Sequence, residues 1–447
     1  MSEREYKFRV AIAGCGIGGL ALAAFINSFT QERHGDRIAI DIYEAKPEVS
    51  TIGAGVAIWK RSWRVLQDLG FEEEIVKRGF KVPKDGESRG PIFRKSDQPT
   101  EGFDFHDHMM PYGPLGLHRP TFLDILRSKL PADCNIHTSK RLEKYTTSGK
   151  GSEVHLVFTD GSVATADILV GADGIHSATR ASLFALMGEG YQQYIQPTFS
   201  GTIAYRGSFP KAKLAEAFPN HRALEHPKLW CGKNMHVVSH PLGPSIGMIC
   251  YCSEPDVEGK PFYGTLITDV ATEDVVKRFA NWEPDLRPLI EGVETYNAWA
   301  IHVVNPLPCY VSGSVVLIGD AAHAMTPHQG VGGGQAIEDA HILARLLSHP
   351  VTRKENITGV LKIFEDLRLA PTQGAAERSR TNGMMYEFNH PDFLFNDPCH
   401  PDEPSREELE ALGDAVGLSF GWLADGNVEE DWAEAEAKLK NIAESEA

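Results

Sequence analysis

The feature that most constrains this chain is a glycine-rich turn near the N-terminus. The segment FRVAIAGCGIGGLALAAFI, residues 8–26, reads as an apolar strand, a turn containing Gly14, Gly16 and Gly19, and an Ala/Leu-rich helix. The first glycine permits the turn, the second lets the backbone approach a pyrophosphate, and the third lets the helix pack closely on the strand. The phosphates would lie at the positive end of the helix. The turn therefore predicts a Rossmann-like, dinucleotide-binding domain.

A carboxylate follows where such a domain needs one. The second apolar strand, IAIDIYEA at residues 38–45, reaches Glu44 near its end. A carboxylate in this place can accept hydrogen bonds from a ribose diol. The alternative is a tight turn without a ligand, and the coincidence of strand, glycines and acid argues against it.

Two later apolar strands also end in an acid. One ends at Asp173-Gly174, and Asp173 taken alone is better interpreted as a turn residue. The other, VVLIG at residues 315–319, is followed by Asp320 and then by the glycines of residues 330–334, which lead into a helix. Bare amides at a helix N-terminus can stabilise the negative charge of a reduced isoalloxazine, and Asp320 can accept a ribityl hydroxyl. We therefore expect both ends of the chain to close on one flavin.

Composition limits the classes of protein to which this chain can belong. The chain has 447 residues, enough for two domains, and a net charge of −17. Fourteen acids and three bases lie from residue 401 onward, so most of the negative charge belongs to the C-terminal region. Seven scattered cysteines suggest neither a disulfide framework nor a metal site. No apolar run approaches the roughly twenty residues of a membrane span. We expect a cytoplasmic protein that binds neither nucleic acid nor membrane.

The middle of the chain has a different sequence pattern. Between residues 186 and 300, β-rich segments are broken by Pro and Gly, which predicts a second domain built on an antiparallel sheet. The dinucleotide-domain pattern then returns. The predicted boundaries are 1–75, 105–185 and 301–375 for the first domain, 76–104 for an insertion of the second domain, 186–300 for its main part and 376–447 for a helical C-terminal region.

Several motifs, in order, resemble the single-component FAD-dependent aromatic hydroxylases. HRPTFLDIL, TIAYRG and the segment from Ala324 to Ala340 most resemble salicylate hydroxylases, especially the fungal ones, and the resemblance covers residues 8–385. The family motifs are Gly14-x-Gly16-x-x-Gly19, Glu44, His118-Arg119, GADG at 171–174 and GDAAHAMTPHQG at 319–330.

The resemblance implies a fold, cofactors and cofactor contacts. The fold is α/β, with a discontinuous Rossmann-like FAD-binding domain, an α+β substrate domain on an antiparallel sheet, and a helical C-terminus. NADH or NADPH reduces the FAD, which then activates molecular oxygen for transfer to a phenol. Cofactor contacts are implied for the glycines and Glu44 of the N-terminal turn, and also for Ala57, Arg119, Asp173, Gly174, Asp320, Gly330 and Gly333.

Three residues are candidates for the chemistry. Arg206, in AYRG, can pair with a phenolate or carboxylate, or it can bridge the sheet and the cofactor domain. His240 stands where many fungal relatives have Tyr, and it can polarise the phenol or be a structural histidine. His328, beside Pro327, is expected to face the substrate, whereas His323 is expected to fix the loop.

Other departures from the family leave alternatives open. In WKRSW, residues 59–63, Lys60 and Arg61 can recruit an anionic benzoate or be solvated surface residues. The segment EEDWAEAEAKLKNIAESEA, residues 429–447, reads as a helix that covers the domain seam or supports a homodimer. The sequence does not decide between these interpretations.

The leading hypothesis is a salicylate 1-monooxygenase that releases carbon dioxide and catechol. The alternative within the same chemistry is hydroxylation or oxidative dearomatisation of a larger phenol of fungal secondary metabolism. A different class, a flavin-binding protein without oxygenase activity, is disfavoured by the intact segment from Asp320 to Gly334. A membrane-bound epoxidase is disfavoured by the acidic C-terminus.

Overall fold

The structure is a computed structural model. It describes residues 6–32, 37–49, 55–148, 153–395, 403–424 and 427–446. The strands, in chain order, are β1 Phe8–Ala13, β2 Ile38–Tyr43, β3 Gly55–Ile58, β4 Ser88–Lys95, β5 Phe103–Met110, β6 Leu115–His118, β7 Asn135–His137, β8 Leu142–Thr147, β9 Val154–Phe158, β10 Val163–Ala166, β11 Ile168–Gly171, β12 Thr198–Pro210, β13 Lys228–Gly232, β14 Met235–Leu242, β15 Ser245–Ser253, β16 Ile267–Ala271, β17 Thr295–Val303, β18 Val311–Ser312 and β19 Val315–Leu317.

The helices are distributed over the whole chain, and the longest lie in its C-terminal third. In chain order they are α1 Ile17–Glu32, α2 Lys60–Asp68, α3 Glu72–Lys77, α4 Arg119–Arg127, α5 Ala178–Met187, α6 Lys211–Ala217, α7 Thr272–Arg278, α8 Arg287–Glu291, α9 Asp320–His323, α10 Gly332–Ser348, α11 Ile357–Tyr386, α12 Arg406–Ser419 and α13 Val428–Glu446.

The first sheet is made of segments that lie far apart in the sequence. Its order is β18-β19-β11-β1-β2-β7, and all neighbours except β18 and β19 run parallel. The strands β1, β11 and β19 are almost entirely buried, as a parallel sheet covered on both faces requires. Helices α1 and α10 pack against each other over it. The predicted discontinuous α/β domain is confirmed.

The second sheet has eight strands in the order β16-β17-β12-β15-β14-β13-β4-β5. Its pairs are antiparallel except β13 with β4. The predicted boundary at residue 104 falls inside β5, because this strand pairs with β4 as far as Met110. Strand β17 likewise continues past residue 300 to Val303. The division into domains stays a prediction, with these two edges displaced by the strand pairing.

Alternation along the strands gives this sheet two faces. The outer face carries Tyr205, Trp230 and Val237 and shares a core with residues of α6, α7 and α8, among them Leu214, Val275 and Leu289. The inner face carries Arg206, Leu229, Val238 and Tyr251. Leu229 belongs to a third core with residues of α11 and α12 and with Val331, next to the glycine-rich loop. The inner face is therefore turned toward the first domain.

Helices α12 and α13 pack on different parts of the molecule. Leu409, Leu412 and Val416 of α12 are buried in the core that joins the second sheet to α11, so α12 covers the domain seam. Each such side chain stabilises the seam by about 1.5–3 kcal/mol. Helix α13 instead packs on α2, α10 and α11 and buries Trp432 and Leu439. Its apolar face is used within the chain.

A buried ionic network joins α10 to α11. The Arg368 Nε atom donates to Asp339 Oδ1 at 2.7 Å, and its Nη1 atom donates to Glu338 Oε2 at 3.2 Å. Asp339 also accepts hydrogen bonds from His323 Nε2 at 2.7 Å and from the backbone N–H of Gly319 at 3.0 Å. One buried carboxylate thus holds the end of β19, helix α9 and helix α11 together.

The same network includes Arg61 of α2 and Asp431 of α13. These contacts correct the interpretation of Arg61 as a residue that recruits the substrate. The side chain of Arg61 is only 17% exposed, and it donates to Glu338 at 3.3 Å and to Asp431 of α13 at 2.5 Å. Ser62 also donates to Glu338, at 3.1 Å. Lys60 lies 5.8 Å from the ring centre of Tyr112. Arg61 is therefore occupied by structural ion pairs and does not recruit a substrate.

Replacing Arg368 by Met tests this network. The change leaves Asp339 and Glu338 buried with fewer partners, and removing one partner of a buried ion pair costs about 3–5 kcal/mol. We expect Arg368→Met to lower the free energy of unfolding in urea by that amount. Arg353→Met, which removes an exposed arginine, is the matched control. Equal stability of the two variants would contradict this account.

The network also predicts a dependence on pH. Burial raises the pKa of Asp339, but His323 and Arg368 outweigh it and bring the pKa to about 2, below the ordinary 3.8. Stability contributed by Asp339 is therefore present above the unfolded pKa and is lost as the pH falls toward the folded pKa. The difference in free energy of unfolding between wild type and Arg368→Met should shrink between about pH 5 and pH 2. A difference that is constant over this range would refute the assignment.

Candidate functional site

The N-terminal turn has the geometry that its glycines predict. Gly14 has a φ of +104°, and a Cβ there would lie 2.3 Å from the carbonyl oxygen of Ala172. A Cβ on Gly19 would lie 2.2 Å from the carbonyl oxygen of Gly14, because α1 starts directly against β1. A Cβ on Gly16 would meet nothing within 4 Å. The turn thus leaves open space beside Gly16, at the N-terminus of α1, where a pyrophosphate fits.

Glu44 lies beside this turn, directly after β2. Its Oε2 accepts a hydrogen bond from the backbone N–H of Cys15 at 3.0 Å, and its Oε1 accepts one from that of Lys46 at 2.9 Å. The carboxylate therefore fixes the loop and sits next to the space that Gly16 leaves open. Each oxygen keeps a lone pair for a further donor such as a ribose hydroxyl.

Asp173 ends β11 at the same edge of the sheet, but its carboxylate is already engaged. It accepts hydrogen bonds from Ser177 Oγ at 2.5 Å and from the backbone N–H and Oγ1 of Thr179, both at 3.0 Å. The side chain thus holds the first turn of α5 in place. Gly174, with a φ of +76°, continues the turn and leaves open space where a side chain would be.

Asp320 is placed differently from Asp173. It follows β19, begins α9 and is exposed, and its carboxylate has no hydrogen bond or ion pair with another described residue. His323, three residues later, is buried and bonded to Asp339, so it fixes the loop as expected. Asp320 is therefore an acceptor that remains available to a ligand at the carboxyl end of β19.

The glycine-rich loop lies against strand β3. Gly330 has a φ of +65°, and a Cβ there would be 3.4 Å from the Cβ of Ala57. A Cβ on Gly333 would be 2.8 Å from a methyl carbon of Val56. The loop needs glycine to approach this strand so closely, and it delivers bare backbone amides to the N-terminus of α10. Arg119 is half-buried and begins α4, directly after β6, the partner strand of β3.

These segments together fit FAD. The described residues offer an open cradle at Gly16, a carboxylate at the end of β2, an unpaired carboxylate at Asp320, and helix N-termini at α1 and α10. All lie at the carboxyl ends of parallel strands or in the loops that follow them, where doubly wound sheets bind their ligands.

Arg206 projects from the inner face of the second sheet. Its guanidinium carbon lies 4.8 Å from the ring centre of Trp299, a stacking contact. Its Nε is buried and lacks a hydrogen-bond partner, and the described residues offer the guanidinium no acidic partner. An arginine held in a fixed orientation by an aromatic ring, with its donors unused, can bind an anion with two hydrogen bonds.

His240 shares this face with Arg206 but does not lie beside it. Arg206 pairs with Ile249 and Ile249 with Val238, so β15 separates Arg206 from the strand that carries His240. The His240 ring covers Gly247, where a Cβ would be 2.5 Å from Cε1. Burial lowers the pKa of His240, so it is neutral at physiological pH.

The half-buried ring of His328 lies among other aromatic rings. Its ring is 5.2 Å from the rings of His236 and Tyr251, and a Cβ on Gly383 of α11 would be 2.4 Å from Cδ2 of His328. Burial, together with the neighbouring His236, lowers its pKa to about 3, and its Nδ1 has no described partner. His328 is therefore a neutral residue packed between α11 and the inner face.

Three further residues at this place, His236, Tyr251 and Glu387, were not predicted from the sequence. His236 stacks on Tyr251 at 4.4 Å, and its Nδ1 is 2.9 Å from Oε1 of Glu387. Burial lowers the pKa of His236 to about 3 and raises that of Glu387 to about 7. Strand alternation in MHVVSH and GMICYC could have placed His236 and Tyr251 on the face of Arg206. Nothing in the sequence pairs Glu387 with them.

No described helix is long and apolar enough to cross a membrane. Within the described parts of the chain, no cluster of three or more His, Cys, Asp or Glu residues is arranged to hold a metal ion.

Comparisons with known proteins agree with the geometry. A family model described as an FAD binding domain matches residues 7–203 and 273–379. Salicylate hydroxylase of Pseudomonas putida is 32% identical over 449 residues, which cover 98% of this chain and 97% of the relative. A 6-methylsalicylate 1-monooxygenase of Aspergillus terreus is 32% identical, with 86% and 84% covered.

A solved salicylate hydroxylase substrate complex superposes on this chain with a TM-score of 0.80, at 28% identity, and covers 96% of this chain and 98% of that one. The resemblance stated from the motifs is thereby confirmed, as are FAD as the cofactor and NAD(P)H as the co-substrate typical of the family. The chain belongs to the FAD-dependent aromatic monooxygenases of the salicylate hydroxylase type.

Proposed function

We propose that this enzyme is a salicylate 1-monooxygenase. The salicylate anion, molecular oxygen, NADH or NADPH and two protons give catechol, carbon dioxide, water and the oxidised nicotinamide. The observation that carries the proposal is Arg206, whose guanidinium is stacked on Trp299 and has no acidic partner among the described residues. Relatives whose names state salicylate or 6-methylsalicylate as substrate support it.

In this proposal Arg206 holds the substrate anion. Its two parallel N–H groups bind either the carboxylate or the phenol oxygen of the substrate. The ring becomes nucleophilic as this oxygen approaches the phenolate state. Bound FAD supplies the hydride acceptance and the activation of oxygen. The apolar residues Ile249 and Val238, which follow Arg206 across the sheet on one side, keep water from the reacting ring.

His240 and His328 act as neutral groups. Since burial lowers the pKa of both, neither carries a positive charge near pH 7. Each can donate or accept one hydrogen bond through a chosen tautomer. We assign His240 to the far end of the substrate pocket and His328 to its wall, next to Tyr251.

We also propose that the glycines of the N-terminal turn, Glu44 and Asp320 hold FAD. The glycines approach the pyrophosphate, Glu44 accepts a ribose hydroxyl and Asp320 accepts a ribityl hydroxyl. In the same proposal Ala57, Arg119, Gly174, Gly330 and Gly333 contribute contacts to FAD, and Asp173 contributes by shaping the turn before α5. The expected homodimer and cytoplasmic location stay predictions.

A second candidate substrate is a larger phenol. His240 crosses the space above Gly247, so the pocket wall differs from that of relatives with Tyr in this position. Pocket walls determine substrate choice while the flavin scaffold stays the same. A panel of alkyl- and acyl-substituted salicylates and phenols, compared by kcat/KM, would distinguish the two candidates.

Product analysis tests the proposed reaction. Purified holoenzyme should oxidise NADH or NADPH faster with salicylate than without it, and should form catechol and carbon dioxide in equal amounts. Benzoate, which has the carboxylate but no activating hydroxyl, is the control and should give neither product. Rapid oxidation of the nicotinamide with hydrogen peroxide as the only product would exclude salicylate as the substrate.

Substitution of Arg206 tests its role. Loss of a charged hydrogen-bonding partner should raise KM for salicylate about 10- to 100-fold in Arg206→Gln, and Arg206→Lys should recover part of this loss, because it keeps the charge but not the paired donors. Arg89→Gln, on the same sheet but exposed and paired with Asp107, is the matched control. FAD content and melting temperature should stay unchanged, whereas a bridging role for Arg206 would lower both and leave KM unaltered.

A further inference from the structure

A groove of about 600 Å³ lies on the outer face of the second sheet. Its floor is made by residues of β12 and β17, and one wall is helix α7. The other wall is the segment that precedes β16 and contains Phe262. We call this the outer groove. Its lining includes Ile203, Tyr205, Phe262, Arg278, Ala298 and Ala300.

The outer groove is separate from the proposed substrate site. Tyr205 and Arg206 are consecutive residues of β12, and consecutive side chains of a strand point to opposite faces. The same holds for Ala298 and Trp299 of β17, which pair with Tyr205 and Ala204. The sheet itself therefore stands between the groove and the Arg206 guanidinium.

The lining combines flat apolar surfaces with one available cation. Tyr205 forms part of the floor, and Phe262 is fixed in the wall by Phe199, with ring centres 4.8 Å apart. The Arg278 guanidinium lies 5.3 Å from the ring centre of Tyr205 and forms no direct ion pair with an acidic group among the described residues, although it interacts electrostatically with Asp274. Lys277, by contrast, is neutralised by Asp274 at 2.9 Å.

This balance of charge selects the kind of ligand. Since Asp274 balances Lys277, the groove offers one unpaired positive charge, which suits a single negative charge better than a diphosphate. Ala298 and Ala300 leave flat floor beside the Tyr205 ring, and Thr265 and Thr268 add hydroxyl donors at the rim. A planar ring with one carboxylate matches this surface.

We propose that the outer groove is a second binding site, for a small aromatic carboxylate that lies against Phe262 and Ala300 and pairs with Arg278. The site is independent of the substrate position proposed above. Because its floor is the backbone that also carries Arg206 and Trp299, an occupant contacts the strands that form the active face from behind.

Calorimetric titration of the oxidised holoenzyme with benzoate, without NAD(P)H, tests the proposal. Wild type should bind benzoate at two sites. Arg278→Gln should weaken one site about five- to tenfold, and Ala300→Leu, which fills the groove, should weaken the same site. Arg287→Gln, which removes an exposed arginine of the neighbouring helix α8, is the matched control and should bind as wild type does.

The variants separate this proposal from the proposed function. Arg206→Gln should weaken only the other site. If it has no effect while Arg278→Gln does, the outer groove stands and the assignment of Arg206 falls. Wild-type binding in both Arg278→Gln and Ala300→Leu would overturn the outer groove. Loss of benzoate binding at higher protein concentration, with a dimer detected by sedimentation, would also overturn the outer groove. A second copy of the chain would then occupy it.

Discussion

The pairing of β11 with both β1 and β19 is the constraint on which the rest of this structure depends. These three parallel strands come from residues 8–13, 168–171 and 315–317, and their registers align Ala13 with Gly171 and Gly171 with Leu317. Because parallel strands end at the same edge, the turns after them are brought together. The glycine turn, the Asp173 turn and Asp320 are neighbours for this reason alone.

The buried Asp339 carboxylate fixes the segments at that edge of the sheet. It accepts hydrogen bonds from the end of β19 and from α9 while it pairs with Arg368 of α11. A buried carboxylate is costly unless every lone pair has a donor, and here the donors come from three elements. The position of Asp320 is thus tied to the packing of two long helices. The same helix, α11, reaches Gly383 and Glu387, so it also shapes the space around His328.

Much of the first domain could be predicted because its signals are local. The spacing of Gly14, Gly16 and Gly19 predicts where the backbone needs glycine: a side chain at Gly14 or Gly19 would clash with a carbonyl oxygen, and Gly16 leaves open space. The position of Asp320 follows from the end of strand β19, and the face on which Arg206 lies follows from strand alternation. Glu387, by contrast, meets His236 across 151 residues, and no pattern in either segment indicates the other. Arg61 reads as a surface residue until α13, more than three hundred residues later, covers it. Long-range partners of this kind are set by tertiary packing.

The order of the strands along the chain has a consequence for synthesis. A ribosome that has completed residue 300 has released β1, β2 and β11, but the partner of β11 on its other side, β19, does not yet exist. During that interval one edge of strand Ile168–Gly171, which is buried in the complete fold, has unpaired backbone N–H and C=O groups. Such an edge is a template for pairing with another chain. Folding in the cell therefore has a vulnerable stage that ends only when residues 315–317 emerge and close the sheet.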